Sequence, residues 1–332
     1  MDEMLSKVPA KPSASTAFAT SRRRLIVGGA AMALTSVAGV RRSAAQAPKT
    51  MRVGVHKGVV FVPSLLLQSI LGTAWNVELS YFGSPADMAN AIVSRSIDVG
   101  YTGATIAAIA RSKGQPIVIV ATSAGKGTAI IVGAKTDIRK LEDLRGKTVG
   151  QVVGGIQDVQ LREELRLVGM TMKDVNPIAI AFSDLPAALQ NGSIDAFCGG
   201  EPASTKTIED GYGRLLKYPY DTPVGTINAG ILARETLVQE NPDLLKAFVG
   251  AHREAVTRLR GNPDEAAELA FKNWGFALAT ARKALDNVDL RWVIDDGFMN
   301  DLANYMARMK DLGIIATVPD INGLVVRDFA KA

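Results

Sequence analysis

Four short segments carry the residues with which this chain could do chemistry: His56-Lys57-Gly58-Val59, Thr102-Gly103-Ala104-Thr105, Gly154-Gly155-Ile156-Gln157 and Gly200-Glu201-Pro202. Each lies between a β-rich apolar run and a stretch of helical spacing. Each is therefore read as the turn from the C-terminal end of a strand into a helix, where open α/β sheets bind ligands. Free N–H groups at helix starts favour an anion, and glycine lets a ligand approach the backbone. One such dipole interaction is worth about 0.3–2 kcal/mol, whereas a micromolar ligand needs ~8 kcal/mol. Several loops must therefore converge. The candidate ligand-binding residues are Lys57, Gly58, Val59, Thr102, Gly103, Gly154, Gly155, Ile156, Gln157, Glu201 and Asn228.

Each of these also has a plain structural reading. Lys57 is either the counter-charge to an anionic head group or a solvated loop lysine, and Thr102 either a hydroxyl donor or a turn former. Gly154-Gly155 marks close backbone approach or a tight turn. Glu201 could receive an amino group, line the rim or pair with Lys206. Asn228 bonds ligand or holds a hinge.

Bond-breaking chemistry finds little support. His56 and His252 are the only histidines and Cys198 the only thiol, so neither a zinc site nor a Cys/His pair is assembled. Cys198 reads as a small core residue at a strand end. Gly125-Lys126-Gly127-Thr128 resembles a phosphate loop, but Gly127 separates the lysine from the hydroxyl that must follow it. No Gly-x-Gly-x-x-Gly follows a strand, and no Gly-x-Ser-x-Gly elbow occurs. No catalytic residue, metal or cofactor is expected.

The elements that must position the loops come in two similar sets. Asp87-x-x-x-Ala91-x4-Ser96-Ile97-Asp98 returns 97 residues later as Asp184-x-x-x-Ala188-x4-Ser193-Ile194-Asp195. In the first set Met51–Val55, Asn76–Phe82, Ile97–Gly100 and Pro116–Ala121 read as strands, with helices over Pro63–Leu71, Pro85–Ser94 and Ile106–Ser112. In the second, Lys147–Val153, Val175–Ala181 and Ile194–Cys198 are strands, and Ile156–Val168 and Leu185–Gln190 helices. Short links imply parallel strands with right-handed crossovers. The bland alternative is that any two α/β units look alike at this level.

Gly-rich segments at 124–128 and 225–230 read as crossings between two lobes, a two-stranded hinge. Helices over Pro242–Leu259, Pro263–Trp274 and Asp296–Leu312 follow and should pack on the first lobe. The expected division is 48–124 plus 230–332 for lobe one and 125–229 for lobe two. Each lobe is a mostly parallel sheet flanked by helices.

Residues 1–47 read as a twin-arginine export signal: Ser21-Arg22-Arg23-Arg24-Leu25-Ile26, an uncharged stretch to Val40, then Arg41-Arg42 and small residues, with cleavage expected after Ala45. That stretch holds seven basic and two acidic residues, a net of +5, which is also the charge of the whole chain. The remainder is near neutral, so no basic surface for nucleic acid is implied. A soluble, monomeric, periplasmic protein is expected.

Gly54-Val55-His56-Lys57-Gly58 and Ser96-Ile97-Asp98-Val99-Gly100-Tyr101-Thr102-Gly103 resemble the first lobe of periplasmic aliphatic-sulfonate-binding proteins, within a wider sulfonate, taurine and nitrate group. Leu141-Glu142-Asp143-Leu144-Arg145-Gly146-Lys147-Thr148-Val149, Ser193-Ile194-Asp195-Ala196 and Glu201-Pro202 extend the resemblance over essentially all of the chain after the leader. It implies a type II periplasmic-binding-protein fold that closes on its ligand and delivers it to a membrane permease driven by a cytoplasmic ATPase. Gly199-Gly200 departs from the bulky aromatic that such proteins tend to carry there. That departure leaves a larger organic anion, a sulfate ester or an aromatic acid as credible as a short alkanesulfonate. Two other readings remain open, an enzyme on the same fold such as a thiamine-pyrimidine synthase, and an extracytoplasmic sensor.

Overall fold

The computed structural model describes residues 47–331, which belong to one compact unit. The export signal expected over 1–47 lies, but for Ala47, outside the described residues. Strand β1 (Lys49–Val55) turns Met51, Val53 and Val55 into the core. A 3-10 segment over Val59–Leu66 follows, with Pro63 inside it rather than at the head of a helix, and α1 (Leu67–Leu71) ends at Gly72, whose φ of 62° suits a residue without a β-carbon. Then come β2 (Trp75–Tyr81), α2 (Pro85–Val93), β3 (Val99–Gly103), α3 (Ala104–Ser112) and β4 (Ile117–Lys126). Strand β5 (Thr128–Gly133) leads to β6 (Thr148–Gln151), α4 (Ile156–Leu167), β7 (Asn176–Ala179), α5 (Leu185–Gln190), β8 (Ala196–Gly200), α6 (Ala203–Glu209) and β9 (Gly213–Lys217). The chain returns through β10 (Ile227–Arg234) to α7 (Leu237–Glu240), α8 (Pro242–Gly261), α9 (Pro263–Trp274), α10 (Leu278–Ala284), β11 (Val288–Leu290), α11 (Asp296–Asp311) and α12 (Ile321–Leu324). Among the described residues no helix is long and apolar enough to cross a membrane.

Two sheets result, ordered β11-β4-β10-β3-β1-β2 and β7-β6-β8-β5-β9. In the first, β1 to β4 point one way and β10 and β11 oppose them; in the second, β6 to β9 agree and β5 opposes. The strands that run against their sheets at the middle, β10 and β5, are those that carry the chain across. The crossings are tighter than their glycine content suggested: β4 stays paired to Lys126, Gly127 turns at φ 75°, and β5 starts at Thr128. The return strand is already paired at Ile227.

The repeated motif has the same geometry in both halves. The amides of Ser96 and Ile97 bond the Ala91 carbonyl, and those of Ser193 and Ile194 bond the Ala188 carbonyl. A β-carbon on Gly54 would meet Met88 and Ile97, and one on Gly150 would meet Leu185 and Ile194. The glycine is the space into which each motif packs.

Alternation sets the core of the second sheet. Ile130 and Val132 of β5 join Ala196 and Cys198 on one face, while Ala129 and Ile131 join Phe197 on the other. Cys198 is thus a fully buried core residue. Helices α8 and α9 pack on the first sheet's side, against the Val59–Leu66 segment. The two later helices join the same core, through Ala281 of α10 and Leu302 of α11, and each also reaches across. Thr280 of α10 donates to Glu209 of α6 at 2.6 Å, and Arg308 of α11 pairs with Glu163 of α4 at 3.2 Å, so both reach the second sheet's helices.

Candidate ligand-binding cleft

A cleft of about 890 Å3 opens between the two sheets. In its wall stand His56, one residue past β1, and Thr102, near the end of β3. Nε2 of His56 is 3.1 Å from Thr102 Oγ1, and Nδ1 is 2.8 Å from the Phe82 carbonyl oxygen. A carbonyl only accepts, so Nδ1 carries the proton and the Thr102 hydroxyl donates to Nε2. Burial lowers the His56 pKa, against the smaller opposing pull of the Phe82 carbonyl, and favours the neutral ring. Thr102 consequently offers lone pairs to the cleft. An anion must find its donors elsewhere.

Those donors are in the main chain. Helix α3 starts behind Gly103 and α4 behind Gly155, and neither glycine supplies a side-chain cap. The first amides of a helix have no carbonyl a turn back to bond. A β-carbon built on Gly103 would stand 3.9 Å from the Ile156 nitrogen, so two helix starts, one from each sheet, face each other across the floor. Thr105 Oγ1 donates to the Gly154 carbonyl at 3.3 Å beside them. Gly58 lies as close to the opposite wall, its would-be β-carbon 3.3 Å from the Glu201 carbonyl oxygen.

Two cations occur among the described residues of the wall, Lys57 and Lys206. Lys206 is paired with Asp210 at 2.6 Å, which removes it as a partner of Glu201. Lys57 is exposed, its Nζ 5.4 Å from the centre of the Tyr81 ring. Glu201 is buried: Oε1 accepts from Asn287 Nδ2 at 3.1 Å and Oε2 from the Thr205 amide at 3.0 Å. Burial raises its pKa, and the two donors oppose the shift. Asn228 Nδ2 donates to the Lys126 carbonyl and so holds the crossing while lining the cleft. Gln157 is buried with Oε1 unpartnered among the described residues.

Lys57, Gly58, Thr102, Gly103, Gly155, Ile156, Gln157, Glu201 and Asn228 therefore share one wall system, whereas Val59 and Gly154 do not line it. Val59 is fully buried as the first residue of the 3-10 segment, its side chain spent on the core. Gly154 has φ 74° and is needed for its turn. Of the two glycines expected to reshape the wall, only Gly200 lines it, beside Gln157; a β-carbon on Gly199 would strike the Phe197 ring.

Sequence reasoning placed His56 in the first loop but not among the ligand's contacts, and it missed the aromatic wall of Phe61, Phe82 and Phe182. The Phe61 and Phe182 rings stand 5.8 and 5.9 Å from the His56 ring. A signal existed: each half places a phenylalanine soon after its second strand, Phe82 beyond β2 and Phe182 beyond β7.

A family model described as NMT1/THI5 like matches residues 76–266, more than half of the chain. The chain belongs to the NMT1/THI5-like family. Among proteins similar to this NMT1/THI5-like chain is the putative aliphatic sulfonates-binding protein of Escherichia coli (strain K12), 25% identical over 269 residues, covering 80% of this chain and 84% of that one. The taurine-binding periplasmic protein of the same organism is 28% identical over 194 residues, covering 57% and 59%. The alkanesulfonate-binding protein SsuA of Xanthomonas axonopodis pv. citri, solved bound to MOPS, has a TM-score of 0.75 at 20% identity, covering 84% of this chain and 99% of that one. That likeness shows the two-lobed periplasmic-binding-protein fold. The named relatives are binding proteins.

Proposed function

We propose that the protein is the solute-binding component of an ABC importer and captures a small organic anion between its two lobes. The observation that carries this reading is the meeting of two uncapped, glycine-led helix starts at Gly103–Ala104 and Gly155–Ile156. Two helix termini and one unpaired lysine concentrate partial positive charge on one small volume, which suits a single negative head group. The ligands for which those relatives are named, aliphatic sulfonates and taurine, agree with that chemistry.

A binding rather than catalytic role is supported by how the reactive side chains are used. Both ring nitrogens of His56 and of His252 are engaged by protein atoms. The Cys198 thiol is fully buried and its pKa is pushed up, so it is a poor nucleophile. Export by a twin-arginine leader, a periplasmic monomer, and delivery to a permease and its ATPase belong to the same proposal. So do the lobes at 48–124 plus 230–332 and at 125–229, with Lys57, Gly155–Gln157 and the Thr102–Gly103 turn as the ligand's contacts.

Thermal shift of residues 47–332 against ethanesulfonate, taurine, a sulfate ester, nitrate and the neutral thiamine pyrimidine tests the reading. A true ligand at 100 times its Kd should stabilise by ~2.7 kcal/mol. Stabilisation by the pyrimidine alone would overturn the anion-receptor assignment.

A further inference from the structure

The wall that surrounds the two helix starts is aromatic, and its rings come from both halves of the molecule. Phe61 and Phe82 belong to the first half and Phe182 to the second, and the His56 ring stands 5.8 Å from Phe61 and 5.9 Å from Phe182. Both nitrogens of that imidazole are occupied and the ring is buried, so it backs the wall without offering a charge to the cleft. The volume of about 890 Å3 is near the top of the roughly 300–1,000 Å3 range of pockets that enclose drug-sized ligands. A two-carbon anion would leave most of this wall wet. Gly200 adds no side chain where the second half's wall approaches Gln157.

The charge on the wall limits the ligand from the other side. Lys206 is neutralised by Asp210, Glu201 is turned to Asn287 and Thr205, and Thr102 donates to His56. What positive charge remains for an anion is that of Lys57 and the two helix starts, enough for one negative charge. A dianion would keep an unmatched charge beside phenylalanine, which is costly.

We infer that the cleft selects a monoanion carried on a flat aromatic body, an arylsulfonate or arylcarboxylate, over a short alkyl anion. The inference rests on the anion-receptor reading. The head group sits at the helix starts, and the ring lies against Phe61 and Phe182, where offset or edge contacts between rings add to simple burial. Because Phe61 and Phe182 come from different halves, a ring held against both ties the halves together.

Titration calorimetry of residues 47–332 with benzenesulfonate, benzoate, ethanesulfonate and neutral benzenesulfonamide separates the cases. Benzenesulfonate or benzoate should bind at least tenfold tighter than ethanesulfonate, and comparison of the first two identifies the head group. Phe182→Leu, at a partly exposed position, should weaken benzenesulfonate at least fivefold more than it weakens ethanesulfonate; Phe61→Leu repeats the test on the other half. Equal or tighter binding of ethanesulfonate overturns the aromatic preference and leaves the anion receptor standing. Binding of benzenesulfonamide without any anion overturns the receptor reading itself, and silence from all four probes overturns both.

Discussion

Asp98 and Asp195 hold the same position in the two sheets: each carboxylate accepts from a main-chain amide of the neighbouring first strand, Arg52 N at 2.9 Å and Thr148 N at 2.8 Å. Each also donates its own amide to the carbonyl of that same residue at 2.8 Å. Asp98 adds an ion pair with the Arg52 guanidinium at 2.8 Å, which Asp195 lacks. The repeat is thus a repeat of a strand-to-strand clasp. The ligand is left to the loops beyond it.

Removing the clasp should cost stability and spare the cleft. Asp195→Ala leaves the Thr148 amide without its side-chain acceptor, at about 1–3 kcal/mol, and Asp98→Ala should cost more because Arg52 also loses its partner. Urea melts measure both. Anion affinity of the folded variants should stay within about twofold, and a tenfold loss would make these aspartates part of the site.

The adjacent glycines 154 and 155 should fail in different ways. Gly154→Ala forces a β-carbon into a left-handed backbone at about 1–2 kcal/mol, with only Ile109 nearby, so it lowers the melting temperature. Gly155 has an ordinary φ of −74°, but a β-carbon there stands 3.1 Å from Gln157 Oε1 and the Val152 carbonyl oxygen. Gly155→Val should therefore displace the α4 start and weaken anion binding tenfold or more by calorimetry. An unchanged Kd removes that loop from the site.

Acid should loosen the fold through its histidines. His252 is fully buried, accepting from Tyr101 Oη at 2.9 Å and donating to the Thr122 carbonyl at 2.9 Å, and burial pushes its pKa down to about 4. The unfolded chain titrates near ~6.5, so it binds more protons than the native state between these values. Stability is full above about pH 6.5 and falls by about 3 kcal/mol toward pH 4. His56, lowered in the same direction, adds to the loss. Urea midpoints from pH 7.5 to 4 should show this slope, and His252→Gln should flatten it.

The bond between Asn287 and Glu201 should bear on the spacing of the halves. Asn287 also accepts from Tyr220 Oη at 2.9 Å, so its side chain joins the crossing region to the cleft wall. Asn287→Ala should weaken the closed arrangement by about 0.5–1.5 kcal/mol, seen as a larger radius of gyration in solution scattering without ligand. An identical scattering curve would mean the tie is incidental.

The two sheets and the four strand-to-helix turns were legible because they are local: alternation marks β1, helical spacing behind Pro85 or Pro242 marks a helix start, and the 97-residue offset relates Asp98 to Asp195. What escaped depends on distant partners. His56 gains its meaning from Phe82, Thr102 and Phe182, which no spacing near residue 56 announces. Gly154 and Gly155 differ only in backbone angle, invisible in two identical letters. Val59 was read with its loop, yet burial turned its side chain to the core. Helix α11 has the amphipathic stripe expected of a helix on the first lobe, while the Arg308–Glu163 contact was decided by a charge on α4.

The antiparallel strand β10 lies between β3 and β4, though a hundred residues or more separate it from either. Until Ile227–Arg234 is made, β3 and β4 have no strand between them, and the first sheet stays split while the whole second sheet is already in hand. Pairings between such distant segments are slow to form. The half that is written first is thus the half that must be finished last, and neither a truncation after β9 nor a separately produced first half would hold together.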